Sequence, residues 1–196
     1  MKVFDFDNTI YRGESSVDFA FFMIKHHKKI MLYVPKILFS LAGYKLCLIS
    51  KPKLEAIVNE FLEFVMDGTV RFEDFVEPFW ATHSHKLNRK ILKRIKRDDI
   101  IISASPSFLL DGISGSVKTT RIIGSEVDFD IKRVTGFNFG DNKVKNFREL
   151  YGDRSIDVFY TDSFNDKDMM KISKEVYIVK KGKIVRHLRR RRGKEL

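Results

Sequence analysis

The chain opens with Lys2-Val3-Phe4-Asp5-Phe6-Asp7, an apolar strand that runs into two carboxylates separated by one residue. Residues two apart on an extended segment project to the same side, so Asp5 and Asp7 can share a site at the carboxyl end of that strand. Carboxylates this close repel one another unless a cation or a shared proton joins them, and a divalent metal ion is the natural companion. Taken alone, Asp-x-Asp also reads as an ordinary acidic strand-to-loop turn.

Three later segments decide between these readings. Asp99-Ile-Ile-Ile-Ser103-Ala104-Ser105-Pro106-Ser107 is a buried, parallel-type strand running into a hydroxyl-rich turn, followed by an apolar helical stretch from Phe108 to Ile113. Hydroxyls and backbone N–H groups at such a turn can hold an anion; Ser with Pro106 at N1 is also an ordinary helix cap. Lys143, in Gly140-Asp-Asn-Lys143-Val-Lys145, sits where a helix begins and could neutralise carboxylates or a phosphoryl oxygen. In a chain with 37 Lys plus Arg it could equally be a solvated surface cation. Val158-Phe-Tyr-Thr161-Asp162-Ser163-Phe164-Asn165-Asp166 is another apolar strand ending in a carboxylate, with a second Asp at the next helix start. One such loop is an Asp N-cap; two carboxylate-ended strands together point to a metal cage.

In chain order, Asp5-x-Asp7-x-Thr9, the Ile strand ending in Ser103, Lys143, and Asp162-Ser-x-x-Asp166 resemble the four motifs of the haloacid dehalogenase superfamily, mostly phosphatases and phosphotransferases. The match covers roughly residues 1–11 and 76–186. The resemblance implies a three-layer α/β/α Rossmann-like core with a mainly parallel sheet and an inserted all-helical cap, its site at the carboxyl ends of the strands. It implies Asp5 as the nucleophile that forms an aspartyl-phosphate and Asp7 as the general acid/base. Ser103 and Lys143 would hold the transferring phosphoryl, with Asn8, Thr9 and Ala104 at the same phosphate site. Asp162 would bind the metal alongside Asp5 and the Asp7 backbone carbonyl, and Asp166 is a ligand or an outer-shell acid. The implied cofactor is Mg²⁺, which offsets repulsion between a carboxylate nucleophile and a phosphate dianion. Asn8 stands where many members have Gly, and Lys145 competes with Lys143, which lies nearer the Gly140-Asp141 turn.

Between the first and second motifs, residues 12–75 read as helical and by resemblance form the cap, leaving 1–11 and 76–196 as the core with a basic C-terminal tail. Ser16 to Ile24 is aromatic-rich, Ile30 to Ala42 is almost wholly apolar, and Pro52 to Met66 carries apolar residues at helical spacing. Pro78 to Arg97 reads as a basic amphipathic core helix; His83 and His85 in it point different ways and read as solvated. Ile30–Ile49 approaches the length of a membrane span, but Pro35, Lys36, Gly43 and Lys45 interrupt it. It is either a buried cap helix or an amphipathic pair lying in a membrane interface. Long apolar, Lys-rich caps resemble those of bacterial phosphatidylglycerophosphate phosphatases, which points to a phospholipid monoester. The alternative is a soluble enzyme similar to phosphoserine phosphatase, supported by Glu14 as a substrate contact; Glu14 is equally a helix cap.

The net charge of +11 is segregated. Residues 19–53 hold seven Lys and no acid, residues 180–196 hold nine Lys or Arg against Glu195, and the remainder is net acidic. That pattern suits peripheral contact with an anionic membrane. Outside enzymes, the alternative is a basic membrane- or RNA-binding module on a disused core; nucleic acid is disfavoured because His187-Leu-Arg189-Arg-Arg-Arg192 has no interleaved aromatics for base stacking. Cys47 is the single cysteine, so no intramolecular disulfide forms, and no leader precedes the first motif; a cytoplasmic setting is expected. Thr120 to Val127 and Val134 to Phe139 read as one hairpin, and Val176 to Val179 and Lys183 to Val185 as another around Lys181-Gly182.

Overall fold

A computed structural model describes residues 1–46, 48–66 and 70–189 of the chain. Cys47 and the tail beyond Arg189 lie outside these residues. The strands are β1 (Lys2–Asp5), β2 (Ile100–Pro106), β3 (Ile122–Asp128), β4 (Arg133–Gly136), β5 (Ile156–Thr161), β6 (Ser173–Lys180) and β7 (Lys183–Arg189). They form a seven-stranded sheet in the order β4-β3-β2-β1-β5-β6-β7. β1, β2, β3, β5 and β6 pair in parallel, and each edge is finished by an antiparallel hairpin. The fold is therefore α/β with a mostly parallel sheet, as expected.

The apolar strands explain this arrangement. Val3, Ile100, Ile102 and Phe159 enter one buried cluster with Phe147, Met169 and Met170, whereas Phe4, Ile101 and Tyr160 enter the other. Successive residues thus bury on opposite faces, which only a sheet covered on both sides can satisfy. An aromatic ladder crosses four strands on the second face: Phe4 stacks on Tyr160 with centroids 4.5 Å apart, Tyr160 on Tyr177 at 5.1 Å, and Tyr177 on His187 at 4.4 Å. Those residues are also register partners, so side-chain stacking and backbone pairing specify the same alignment.

Among the described residues the α-helices are α1 (Ser15–His26), α2 (Val34–Lys45), α3 (Lys51–Val65), α4 (Val76–His83), α5 (Arg89–Leu92), α6 (Ser107–Asp111), α7 (Asp141–Tyr151) and α8 (Lys167–Lys171). From β1 the chain winds outward through β2 and β3 to one edge, then returns to β5 on the other side of β1. The strand order reverses beside β1. That is the position at which open α/β sheets bind ligands, at the carboxyl ends of the strands.

Four expectations need correction. The single helix over Pro78–Arg97 is instead α4, a 3-10 turn at Ser84–Lys86, and α5. The break comes from Asn88, whose buried side chain caps α5 through Lys90 N and also donates to the carbonyls of Thr9 and Gly182, while its backbone N–H binds Ile10 O. His83, on α4, is half-buried and stacks on Phe79 at 4.3 Å, so it is packed as well as solvated. The C-terminal hairpin runs further than expected: Arg186 to Arg189 belong to β7, and Glu175 pairs with His187 and Arg189. β4 ends at Gly136 and not near Phe139, because Asn138 turns inward to donate to Ser103 O and Ile123 O.

The insertion from α1 through α3 is helical. Its apolar content is only partly buried: Ile30 and Val34 are enclosed, whereas Met31 is 57% exposed, Leu32 72% and Phe39 78%. Among the described residues no helix is long and apolar enough to cross a membrane.

Gly124 on β3 faces the β2-to-α6 turn so closely that a Cβ there would meet Ser107 N at 2.7 Å and Ser105 O at 2.8 Å. Both are backbone atoms and cannot swing aside. Gly124→Ala should cost about 1–3 kcal/mol in urea unfolding. A wild-type midpoint would show that the turn is not held in place by this contact.

Candidate functional site

Asp5 is the last residue of β1 and is paired in register with Ile102. Its carboxylate is buried, and Lys143 from the first turn of α7 donates to Asp5 Oδ1 at 2.7 Å and pairs with Asp166 Oδ1 at 2.8 Å. Asp166 also accepts from Thr161 Oγ1 at 2.8 Å. Lys143 is 3% exposed, while Lys145 is solvated and pairs with Asp141, so the structure places Lys143 and not Lys145 in the cluster. Thr9 Oγ1 reaches toward Asp5 Oδ2 at 3.4 Å from the turn that follows β1.

Asp7 faces a different set of partners. Its Oδ1 accepts from Ser15 N at 2.6 Å, which puts a carboxylate on the first N–H of α1, where the helix dipole favours an anion. Its Oδ2 accepts from Ser105 Oγ at 2.7 Å and, more distantly, from Ser103 Oγ at 3.4 Å. Ser105 in turn bonds Ser15 Oγ and Ser16 Oγ. Asn8, between the two carboxylates and the turn, has φ of +59°, a left-handed value that Asn tolerates better than most side chains. This explains why Asn serves where Gly is common. Its amide donates to Glu14 Oε1 at 3.0 Å; Glu14 occupies the N-cap position of α1 without making a side-chain cap bond.

A cavity of about 300 Å³ opens over these groups, and Asp5, Asp7, Glu14, Ala104, Lys143, Asp162 and Asp166 all contribute to its wall. Of the residues singled out from the sequence, Asn8, Thr9 and Ser103 stand one bond behind it. Ser105, Ser15, Ser16 and Asn138 were missed. Ser105 was legible, since it lies two residues from Ser103 on an extended strand; nothing local marks Asn138, whose partners come from β2 and β3.

Charge in this cavity is unbalanced, with five carboxyl groups against Lys143 in the described wall. Burial raises the Asp5 carboxyl, and Asp166 and Asp162 add to the rise against the opposing pull of Lys143. Burial and then Glu14 raise Asp7. Asp162 is lifted to about 6, by burial first and then by Asp166 and Glu14. Burial would lower Lys143, but Asp5 and Asp166 outweigh it and hold the ammonium charged. An oxygen-rich set with unrelieved negative charge suits a hard cation. Among the described residues no group of three His, Cys, Asp or Glu forms a full protein cage. Mg²⁺ does not need one, because it keeps several waters and takes one or two carboxylates.

A profile of the haloacid dehalogenase-like hydrolases matches residues 3–171. The chain belongs to that family. Among solved structures, a Bordetella pertussis Tohama I protein of unknown function is similar to this hydrolase with a TM-score of 0.66 at 17% identity, over 87% of this chain and 85% of that one. A phosphoserine phosphohydrolase-like protein from Francisella tularensis subsp. tularensis SCHU S4 gives 0.59 at 15% identity, over 91% and 87%. A phospho-aspartyl intermediate analogue of phosphoserine phosphatase gives 0.53 at 12% identity, over 90% and 84%. At these identities the likeness is one of fold. No curated protein sequence matches significantly.

Removing the ammonium should expose how the cluster is held. Lys143→Met leaves two buried carboxylates without their counter-ion and should cost about 3–5 kcal/mol at pH 7. Burial already holds the Asp5 carboxyl above its unfolded value, so without Lys143 the folded form gains as Asp5 protonates and the deficit should shrink between pH 7 and pH 5. Urea unfolding at both pH values measures this; an equal deficit at the two would show that lost packing, not charge, is the cause.

Proposed function

We propose that this hydrolase cleaves a phosphomonoester with Mg²⁺ through an aspartyl-phosphate on Asp5. The observation that carries the reading is the convergence of Asp5, Asp7, Lys143, Asp162 and Asp166 on one cavity at the switch point of the sheet. The phospho-aspartyl analogue in a phosphatase of similar fold supports it. Residues 12–75 act in this reading as the cap over a core formed by 1–11 and 76–196.

The two carboxylates at the end of β1 differ in environment, and this divides their roles. Asp5, buried beside Lys143, attacks phosphorus: the Asp5 Oδ–P bond forms as the P–O bond to the leaving alcohol breaks. Asp7, with its carboxyl raised by burial and Glu14, is suited to deliver its proton to the departing oxygen. Asp7 then takes a proton from the water that attacks the phosphoryl, releasing phosphate and restoring Asp5. Lys143, Thr9, Ser103 and the Ala104 backbone are proposed to steady the phosphoryl oxygens. Asp5 and Asp162 carboxylates with the Asp7 backbone carbonyl would hold the Mg²⁺, which when bound offsets the repulsion between nucleophile and phosphate.

Two substrate readings follow from the cap. Glu14 in the cavity wall favours a small ester like that of phosphoserine, with the carboxylate as a substrate contact. A phospholipid monoester such as phosphatidylglycerophosphate is the other, and the exposed Met31, Leu32 and Phe39 beside Lys28, Lys29 and Lys36 favour it, because apolar insertion plus basic charge is what peripheral binding to an anionic membrane needs. Neither observation points to nucleic acid.

Asp5→Asn should abolish turnover of phosphomonoesters in Mg²⁺ while keeping the fold, and Asp162→Asn should remove the rise in melting temperature that Mg²⁺ gives the wild type. Full activity in the Asp5 variant would end the phosphoenzyme mechanism. For the membrane contact, the protein should co-sediment with phosphatidylglycerol vesicles at low salt and less with neutral vesicles or at high salt. Protein remaining in the supernatant with anionic vesicles would confine the enzyme to soluble esters.

A further inference from the structure

A second cavity, of about 170 Å³, lies beneath α1, α2 and α3 and is lined almost wholly by carbon. It adjoins the catalytic cavity: Ser16, Val17, Leu38, Leu41, Ala104 and Phe137 line both. Apart from these, its wall is aliphatic and aromatic except for Ser125, and no titratable side chain contributes among the described residues. The two hydroxyls are already engaged, Ser16 Oγ with Ser105 Oγ and Ser125 Oγ with the carbonyl of Ala104. An ammonium or carboxylate placed there would find no partner, and leaving it unpaired is costly. An apolar group would lose nothing on entering.

The position of the passage between the cavities gives it chemical direction. Asp7 accepts from Ser105, Ser105 bonds Ser16, and Ser16 is one of the residues shared by both walls. In the proposed mechanism Asp7 protonates the leaving oxygen, so the group attached to that oxygen departs on the Ser16 side, towards the apolar chamber. Resting on that mechanism, we infer that the substrate is the phosphomonoester of an apolar alcohol, and that the chain of the alcohol occupies this chamber while the phosphoryl lies against Asp5. The size limits the chain. A dry cavity of about 150 Å³ takes a molecule the size of benzene, so about six carbons fit before the chamber is filled. A small polar alcohol such as serine would leave it empty, and two long acyl chains would not enter it.

The test is a chain-length series in two arms, both with Mg²⁺. In the first, kcat/KM is measured for n-alkyl phosphates from methyl to octyl. It should rise about fourfold per methylene, the fold-change that corresponds to burying one CH₂, and level off near six carbons. In the second, the affinities of the matching n-alkylphosphonates, which carry no cleavable ester, are measured by calorimetry and should follow the same slope. Ala20→Leu and Val58→Phe, which project into the chamber from α1 and α3, should each lower the hexyl-to-methyl ratio at least tenfold. Equal turnover of methyl and hexyl phosphate would overturn the inference and leave the phosphatase intact. Phosphonate affinity that rises with chain length without hydrolysis of any ester would overturn the phosphatase mechanism and support the apolar ligand. A flat series in both arms overturns the inference outright, and because the wild-type series alone decides this, a variant that fails to fold does not obscure the answer.

Discussion

The buried ion triad of Asp5, Lys143 and Asp166 is the constraint around which the rest of the site is arranged. Three charges taken out of water are tolerable only when each finds its partner, and a single ammonium here serves two carboxylates. The triad ties β1 to α7 and to the loop after β5, elements that lie far apart along the chain. It still leaves the cluster one charge short of neutral, before Asp162, Asp7 and Glu14 are counted. The fold thus carries an electrostatic deficit at its centre, and a divalent cation is the simplest species that would remove it.

Asp7 escapes the triad because its carboxylate is claimed by the opposite wall. Its oxygens are bound by the N-terminus of α1 and by the Ser105 hydroxyl, so two side chains separated by one residue meet different electrostatic surroundings. That separation depends on backbone geometry. Asn8 in the left-handed region bends the chain immediately after Asp7, and Gly124 lets the β2-to-α6 turn approach closely enough for Ser105 to reach the carboxylate. One carboxylate beside an ammonium and another beside hydroxyls are thereby produced from one Asp-x-Asp strand end.

Much of this was legible in the residues, for identifiable reasons. Strand ends advertise themselves: apolar runs that stop at Asp5, Ser103 and Asp162 give both the parallel sheet and three of its site positions, because pattern and chemistry coincide there. Lys143 was legible through its motif, and only its place nearer the Gly140-Asp141 turn set it apart from Lys145; burial decides between them, and burial depends on the whole sheet. The helix expected over Pro78–Arg97 failed where Asn88, an evident N-cap in retrospect, answers to the distant carbonyls of Thr9 and Gly182. Asn138 and the short β4 belong to the same class. Buried amides that bridge separate elements leave no local signal, because their partners are set by tertiary packing.

The inserted helices follow a different logic from the strands. The carboxyl ends of the strands and the turns beside them contribute the charge, whereas α1, α2 and α3, with Phe72 and, from the core side, Phe108, Val127 and Val134, enclose an apolar wall, so the passage between the two cavities divides charged groups from hydrocarbon. Burial of a methylene is worth little individually but accumulates along a chain, whereas the phosphoryl contacts are the same for every ester. In the proposed reaction, discrimination among esters would therefore come from the apolar chamber. The same helices leave Phe39, Leu32 and Met31 on the outside and enclose Ile30 and Val34 within, so the apolar character that lines the chamber continues to the outer surface of the insertion.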